Sequence, residues 1–403
     1  MTRPMTPTDP IAIVGAGPVG LVAALRLARL GIRSVVLEQQ PALADDLRAS
    51  TFHPPTLEML DTLGLAAPLI EQGLVTPSWQ IRMHETHERV AFHLDVLSDD
   101  TPYPFRLQCE QSKLCRLALD AAAAEELIQV RFGAAVSGLR QQDDRVVLQV
   151  ETSDGHEEVA APYAIAADGS KSTIRGLLDL RFEGLTYPET TILATTRFPF
   201  ERHLPGLSNV NYVWMDGGTF SLLRLPDLWR CSLYAAAEET IDQAIEPDRV
   251  EAKLQRIVGR DEPYDVMEVR PYRIHQRIVS DYRVGRVLLA GDAAHINSPS
   301  GGMGMNGGIH DAFNLTEKLA RVIKDGADPG LLDLYTRQRL PIARDQILAQ
   351  AHKNRTRMQE RDAGKRRAEL ERLQTIAADP DERRTFLLRT SMIEGLRRAA
   401  AVT

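Results

Sequence analysis

The stretch that decides the fold is Ile11-Ala12-Ile13-Val14-Gly15-Ala16-Gly17-Pro18-Val19-Gly20. Its four leading apolar residues predict a buried strand, and the apolar spacing from Val19 to Leu30 predicts a helix directly after it. A second apolar run, Ser34 to Glu38, predicts the next strand. Strand, helix and strand together make a βαβ unit, the building block of parallel α/β sheets.

The glycines of this stretch indicate that the unit binds a dinucleotide. Gly15 permits a tight turn, Gly17 lets the backbone approach a pyrophosphate, and Gly20 lets the helix pack closely on the strand. Pro18 and Val19 open the helix, whose first N–H groups and positive dipole end attract phosphate.

An acidic residue narrows the choice of dinucleotide. Glu38 stands roughly 20 residues beyond the loop, at the end of the second strand, where a carboxylate binds ribose hydroxyls. Because a carboxylate repels a 2′-phosphate, this site favours FAD or NAD over NADPH. The loop and Glu38 alone leave FAD and NAD both open.

Composition excludes several other classes of protein. The chain has 403 residues, enough for more than one core, and a net charge of -7, which argues against a nucleic-acid partner. Its three cysteines, Cys109, Cys115 and Cys231, are too few and too scattered for a disulfide framework or a zinc site, and we interpret them as reduced thiols. Neither a signal peptide nor an apolar run of membrane-spanning length is evident, so we expect a cytoplasmic protein without a membrane partner.

Two further motifs follow strands later in the chain. The first is Asp168-Gly169, after the apolar run Tyr163 to Ala167. The second is Gly291-Asp292, followed by the segment Pro299-Ser300-Gly301-Gly302-Met303-Gly304-Met305-Asn306-Gly307-Gly308 and a helix. Acids at the carboxyl ends of parallel strands lie where open α/β sheets bind ligands. Backbone N–H groups at a helix start stabilise negative charge, including that of a reduced flavin ring.

The pattern between these motifs predicts an inserted domain. Short alternating runs at 211–215, 219–225 and 229–235 are separated by turn residues, which indicates an antiparallel meander. We therefore predict an α/β protein with a Rossmann-like nucleotide-binding domain from 1–75, 101–182 and 268–345. An antiparallel β-sheet substrate domain from 76–100 and 183–267 is inserted into it, and 346–403 form C-terminal helices. The mixed Arg and Glu of that tail predict a solvated or dimer-facing helix.

The three motifs, in this order and spacing, resemble the class A flavoprotein monooxygenases, the para-hydroxybenzoate hydroxylase superfamily. The resemblance rests on the GxGxxG loop, on the DG motif at Asp168-Gly169, and on the GD motif at Gly291-Asp292 with its glycine-rich extension. It covers essentially the whole chain up to the C-terminal tail. It implies that the nucleotide-binding domain is an FAD-binding domain of the glutathione-reductase type.

The resemblance also assigns residues to the FAD site. Arg48 and Gln111 match positions that contact the diphosphate and ribose, although a surface arginine and a helix cap are the alternatives. Asp168 matches an acid that serves both FAD and the pyridine nucleotide, and Asp292 matches the acid that hydrogen-bonds the ribityl chain. Gly304, Met305 and Asn306 lie where backbone N–H groups face the N1 and O2 edge of the flavin.

The resemblance implies a mechanism in which the cofactor carries the chemistry. NADH or NADPH reduces FAD, the reduced flavin captures O2, and a C4a-hydroperoxide transfers one oxygen atom to an activated aromatic ring. A second βαβ unit opened by a GxGxxG loop is not evident, which fits a pyridine nucleotide that binds transiently. We expect a small aromatic substrate, no metal, and a monomer or homodimer.

The substrate pocket is expected between the meander and the flavin. Pro299 matches the proline whose carbonyl lies near the substrate ring, and His53, on a loop near the active site, is a candidate proton relay or a plain loop-packing residue. On the meander, Arg224 is a candidate partner for a carboxylate, Tyr212 or Tyr234 for a ring hydroxyl, and Trp214 is a further aromatic candidate. An ordinary sheet position is an equal alternative for each of them.

Three functions remain open at this point. The first is hydroxylation of a small phenolic or hydroxypyridine-type ring. The second is the same chemistry on a larger ring, such as a quinone precursor, polyketide or antibiotic. The third is a flavin dehydrogenase or reductase that does not activate oxygen.

Overall fold

The computed structural model describes residues 9–44, 49–236 and 239–403. The strands within this part of the chain, in order, are β1 (Ile11–Val14), β2 (Ser34–Glu38), β3 (Thr51–Phe52), β4 (Leu74–Thr76), β5 (Ser78–Met83), β6 (Arg89–His93), β7 (Arg106–Gln108), β8 (Ile128–Phe132), β9 (Ala135–Gln141), β10 (Val146–Thr152), β11 (Gly155–Ala161), β12 (Ala164–Ala166), β13 (Glu183–Thr196), β14 (Val210–Met215), β15 (Gly218–Arg224), β16 (Trp229–Tyr234), β17 (Val266–Ile278), β18 (Arg283–Val284), β19 (Val287–Leu289) and β20 (His295–Ile296).

The α-helices of the same part are α1 (Pro18–Arg29), α2 (Pro54–Asp61), α3 (Ala66–Glu71), α4 (Gln111–Ala123), α5 (Thr173–Leu177), α6 (Phe200–His203), α7 (Ile241–Ala244), α8 (Pro247–Gln255), α9 (Gly304–Lys324), α10 (Asp333–Ile342), α11 (Ala349–Gln359), α12 (Ala363–Ala378), α13 (Pro380–Thr390) and α14 (Ile393–Ala400). Short 3-10 turns lie at Leu94–Leu97, Gly291–Ala293 and Pro329–Leu332, and a π-helical segment at Ala343–Leu348 joins α10 to α11.

A six-stranded sheet forms the nucleotide-binding half of the fold. Its order is β18-β19-β12-β1-β2-β8, and every pair is parallel except β18 with β19. All four residues of β1 are buried, as expected of a central parallel strand covered on both faces. The predicted βαβ unit is confirmed, with α1 beginning one residue earlier than the sequence indicated.

An eight-stranded sheet forms the second half. Its order is β20-β17-β13-β16-β15-β14-β5-β6, and its pairs are antiparallel except that β14 and β5 are parallel. The predicted meander is β14, β15 and β16. The sheet is thus mixed rather than purely antiparallel, because β5 enters from an earlier part of the chain and reaches β14 by a long connection. A small sheet, β3-β7-β4, stands apart from both large sheets.

The C-terminal helices cover one face of the large sheet. Met358 of α11, Leu370 of α12 and Phe386 of α13 belong to one buried cluster with Trp79 and Phe92 of the sheet. The interpretation of this tail as a solvated or dimer-facing helix is therefore wrong for its inner face. Beside its mixed charges, the tail carries an apolar stripe that is buried against the large sheet.

No helix in the described ranges combines the length and apolar character needed to cross a bilayer. The three cysteines are buried thiols. The division into an FAD-binding domain, an inserted substrate domain and C-terminal helices stays our proposal. The strand β17 runs across its boundary between 267 and 268.

Candidate functional site: a dinucleotide cradle and an adjoining cavity

Four neighbouring strands of the six-stranded sheet deliver the predicted motifs to one edge. In the order β19-β12-β1-β2, the strands are followed or ended by Gly291, Asp168, Gly15 and Glu38. The carboxyl ends of parallel strands are where open α/β sheets bind ligands. Motifs more than 270 residues apart in the chain thus meet at one crevice.

The glycine loop has the geometry of a phosphate-binding turn. Gly15 has a φ of 103°, and a Cβ on Gly20 would lie 2.0 Å from the carbonyl oxygen of Gly15, so both positions need glycine. Among the described residues, nothing lies within 4 Å of where a Cβ on Gly17 would be. Gly17 precedes α1, and no side chain from this part of the chain caps the helix. The N–H groups at an uncapped helix start are available to a phosphate, and the space beside Gly17 leaves room for one.

The carboxylate of Glu38 lies against this loop. Its Oε2 accepts a hydrogen bond from the N–H of Ala16 at 2.8 Å, and its Oε1 accepts one from the N–H of Gln40 at 2.9 Å. The side chain is half-buried. This places an acceptor beside the pyrophosphate turn, at the position where an adenosine ribose would offer its hydroxyls.

The DG and GD motifs are joined by Arg175. Asp168 accepts hydrogen bonds from the Ser172 hydroxyl at 2.6 Å and the Ile174 N–H at 3.1 Å, and burial raises its pKa against these bonds. Arg175 of the same segment donates to the carbonyl oxygens of Ala293, at 3.1 Å, and of Asp292, at 3.5 Å. Asp168 thus orders α5 directly, and α5 in turn holds the turn that carries Asp292.

A buried polar cluster fixes that turn to α9. Asp311 accepts hydrogen bonds from the Gly291 N–H at 3.1 Å, from His295 Nε2 at 2.9 Å and from Arg339 Nε at 2.7 Å. Burial alone would raise the pKa of Asp311, but Arg339 and His295 outweigh it and hold the pKa below its usual value. The GD motif is therefore held by an ionised acid in the core.

Close packing completes the junction of the loop, the GD turn and α9. A Cβ on Gly308 would lie 2.6 Å from Val19 Cγ2 and 2.9 Å from Gly291 Cα. Glycine at these positions lets α9 approach both α1 and the turn more closely than any other residue would allow.

The start of α9 is held in place by the side chain of Asn306. Its Oδ1 accepts from the His53 N–H at 2.9 Å, and its Nδ2 donates to the carbonyl oxygens of Thr51 and Gly302. Gly304 and Met305 form the first turn with Asn306, and no side chain caps the helix at Met303. The sequence suggested only the backbone of Asn306, whereas the structure adds this side-chain role.

His53 is buried and electrically neutral. Burial, with a smaller contribution from the charge of Arg106, lowers its pKa to about 3. Its Nε2 donates to the Gly301 carbonyl oxygen at 2.8 Å, so its Nδ1 carries the lone pair, and this buried atom has no hydrogen-bond partner within the described ranges.

A cavity lies directly beside the start of α9. It combines the large sheet, the loop before α9 and the C-terminal helices, and the space within it, including its open mouth, is about 400 Å³. Its lining residues are Trp79, Ile81, Arg106, Tyr212, Gly301, Met303, Asn354, Arg357, Met358 and Thr390. Most of these side chains are apolar or aromatic, as expected of a site for a small ring.

The predicted pocket residues fall in different places. Tyr212 lines the cavity. Arg224 does not line it; its guanidinium pairs with Glu201 at 3.4 Å and lies over the ring of Trp229. The structure gives no support to a substrate contact by Arg224, because its guanidinium pairs with Glu201 and does not line the cavity. Pro299 is exposed, and its carbonyl accepts the Gly302 N–H at 2.9 Å.

For Gln111 and Arg48, which the resemblance assigns to the FAD site, the structure neither adds nor removes an argument. Gln111 begins α4, and its N–H donates to the Ala49 carbonyl oxygen at 2.9 Å. Arg48 lies outside the described residues.

Sequence reasoning missed part of the cavity lining. Arg106 was open to detection as a charged residue within the apolar run Phe105-Arg106-Leu107. Arg357 and Thr390 gave no local signal, because only the folding of the C-terminal helices onto the sheet brings them there.

The fold and this site define an FAD-dependent oxidoreductase with a cavity beside the start of α9. The comparisons with known proteins agree. The family model for the FAD binding domain matches residues 8–351, and the chain belongs to this family. Within it, the chain is a class A FAD-dependent aromatic monooxygenase.

Three relatives support this assignment. The para-nitrophenol 4-monooxygenase of Pseudomonas sp. strain WBC-3 is 32% identical over 98% of each chain. The 6-hydroxy-3-succinoylpyridine 3-monooxygenase of Pseudomonas putida strain S16 is 33% identical over 82% of this chain and 84% of its own. The crystal structure of p-nitrophenol 4-monooxygenase from Pseudomonas putida DLL-E4 superposes with a TM-score of 0.90 at 31% identity, covering 97% of this chain and 99% of the other.

Proposed function

We propose that this enzyme uses NADH or NADPH and O2 to hydroxylate a small phenolic or hydroxypyridine-type ring. The observation that carries the proposal is the cavity at the start of α9, which adjoins the FAD cradle and is closed by the C-terminal helices. Relatives matched over 98% and 84% of their own length act on nitrophenol and on a hydroxypyridine, which supports a single-ring substrate.

Bound FAD would supply the redox chemistry, by accepting hydride from NADH or NADPH and activating O2. The chain's residues would hold it at several points. The loop at 15–20, including Pro18 and Val19, would bind the pyrophosphate, and Glu38 would bind the ribose. Further along the cofactor, Asp292 would bind the ribityl chain, and the N–H groups of the first turn of α9 would stabilise negative charge on the ring.

The residues of the cavity would orient the substrate and exclude water. Trp79, Ile81 and Met303 give it apolar walls, which would exclude water from the reacting ring. Tyr212 is the polar group on the sheet side and would contact the ring. His53 holds the Gly301 carbonyl in place. A proton relay through it stays a prediction, with its buried Nδ1 as the acceptor.

The test is product formation with labelled oxygen. FAD-loaded enzyme is incubated with NADH or NADPH under ¹⁸O₂ and a panel of phenols, hydroxypyridines and multi-ring phenols, and product mass is measured. We expect one labelled oxygen atom per product and substrate-stimulated oxidation of the reduced nucleotide. Hydroxylation only of multi-ring substrates would select the larger-ring alternative. Nucleotide oxidation with no labelled product from any ring would select a flavin reductase and refute the proposal.

A further inference from the structure

Arg106 is a buried arginine that lines the cavity. It lies in β7 and is 3% exposed, and its guanidinium carbon is 5.0 Å from the centre of the Trp79 ring. Burial lowers its pKa, and the neighbouring phenol of Tyr212 works in the opposite direction through a hydrogen bond. Both aromatic neighbours belong to the large sheet, so Arg106 reaches across from the small sheet to the substrate side.

The guanidinium of Arg106 has no carboxylate partner among the described residues, and its buried Nε has no hydrogen-bond partner. Arg357, the other arginine of the cavity, differs in this respect. Its Nε donates to Glu369 at 2.8 Å, so its charge is neutralised within the protein. The cavity therefore holds two arginines, of which only Arg357 has a carboxylate partner in the part of the chain that the structure describes.

An unpaired buried charge is costly and is found where a ligand compensates it. Taking a cation out of water without an anion costs several kcal/mol, because the low dielectric of the interior stabilises it poorly. A planar guanidinium pairs best with two oxygen atoms of an anion, in a charge-assisted hydrogen bond. The contacts of Arg106 with Trp79 and Tyr212 orient it, and neither residue is a carboxylate.

We propose that Arg106 is the charged anchor of the substrate, and that the ring bound here carries an anionic oxygen, as an ionised phenol or a carboxylate. The proposal rests on the proposed function and names the charge state of its substrate. An anion beside Arg106 would lie between the aromatic walls of Trp79 and Tyr212, next to the loop that precedes α9. Neutral rings of the same shape would leave the guanidinium buried and unpaired, and the site would reject them.

The test measures binding without turnover. FAD-loaded protein is titrated by calorimetry, without NADH or NADPH, with two pairs of rings of similar shape. The first pair is 4-nitrophenolate and neutral 4-nitrotoluene, at a pH where the phenol is ionised; the second is benzoate and neutral benzamide. The variants are Arg106→Met, which removes the charge, Arg106→Lys, which keeps it, and Arg357→Met as the matched control.

We expect wild-type protein to prefer the anion of at least one pair, and that pair tells a phenolate site from a carboxylate site. Arg106→Met should weaken binding of that anion roughly 30-fold or more, as expected for loss of one partner of a buried charge pair, and should change the neutral ring by less than about threefold. Arg106→Lys should restore part of the preference. Arg357→Met should leave the ratio of anion to neutral affinity unchanged, since Glu369 already neutralises Arg357.

Two results would overturn the proposal. One is an equal loss of both members of a pair in Arg106→Met, which would indicate a purely structural arginine. The other is the absence of any anion preference in wild-type protein, including failure of every anion to bind. Because neither oxygen nor reduced nucleotide enters the measurement, a clear charge effect without hydroxylated product would refute the proposed function alone.

Discussion

Replacing Asp311 with asparagine tests whether the GD turn depends on a buried charge. Asp311 is fully buried, and the Arg339 side chain is 1% exposed. The substitution removes the negative charge of Asp311 and leaves the Arg339 guanidinium without an anionic partner in the core. It also points the new amide N–H at one of the groups that donate to Asp311. Breaking a buried pair in this way costs about 3–5 kcal/mol of the free energy of unfolding. We also expect weaker FAD binding, because the Gly291 N–H loses its acceptor.

The assay is a double-mutant cycle with Asp311→Asn, Arg339→Met and the double variant, each unfolded in urea at fixed FAD concentration and followed by circular dichroism. The double variant removes both charges and should be more stable than the sum of the single losses predicts, with a coupling free energy of about 1.5–3 kcal/mol. Repeating the unfolding at a higher FAD concentration separates fold stability from cofactor affinity. A loss below about 1 kcal/mol in Asp311→Asn, or a coupling near zero, would refute a structural role for the charge.

Three further predictions concern the loop, the cavity and the sheet face. Gly17→Ala should leave the free energy of unfolding unchanged but weaken FAD binding about tenfold or more, because its methyl group enters open space where the pyrophosphate would lie. Gly20→Ala should instead destabilise the fold, because its Cβ would lie 2.0 Å from a carbonyl oxygen. Equal effects of the two substitutions on FAD affinity would contradict this. Burial lowers the pKa of His53 to about 3, so the unfolded chain takes up a proton below about pH 6.5 and the folded chain does not. Stability from this residue is thus complete above pH 6.5 and lost as the pH falls toward 3, and wild-type protein should lose about 2 kcal/mol more than His53→Gln between about pH 8 and 5 in urea titrations; identical pH profiles would argue against it. Phe386→Ala should lower the free energy of unfolding by about 3–5 kcal/mol in the same assay. It should also raise KM, because the centres of the Phe386 and Trp79 rings are 6.1 Å apart and the loss of Phe386 loosens the Trp79 wall of the cavity. An unchanged KM would show that α13 does not support the cavity.

The nucleotide-binding half was predictable from the sequence because its signals are local. A turn such as Gly15 to Gly20 imposes its backbone geometry on neighbouring residues, and each motif follows its own strand. The edge at which the motifs meet then follows from the parallel topology. The added role of Asn306 was hidden, because its partners His53 and Thr51 lie about 250 residues away in the chain.

The cavity was less predictable, because long-range contacts build it. Arg106 becomes a binding group only when β7 lies against Trp79, and local sequence does not specify that contact. The interpretation of the C-terminal tail as a solvated helix is wrong for its inner face for a related reason. Arg366 looks solvated in a charged run, yet it is buried and donates to the carbonyl oxygens of Met215 and Gly218 at 2.8 Å. Mixed charge indicates solvent exposure only when backbone groups of another element are out of reach.

The strand order of the six-stranded sheet also determines when, during translation, the FAD site can be completed. Its central strand β1 leaves the ribosome first, but β19 begins only at Val287, and the clamp on the GD turn needs Asp311 and Arg339. A nascent chain therefore carries its glycine loop without the rest of the FAD site until residues 287 to 339 have been made. We expect flavin capture to be a late event, followed by closure of the cavity when α13 folds over the sheet.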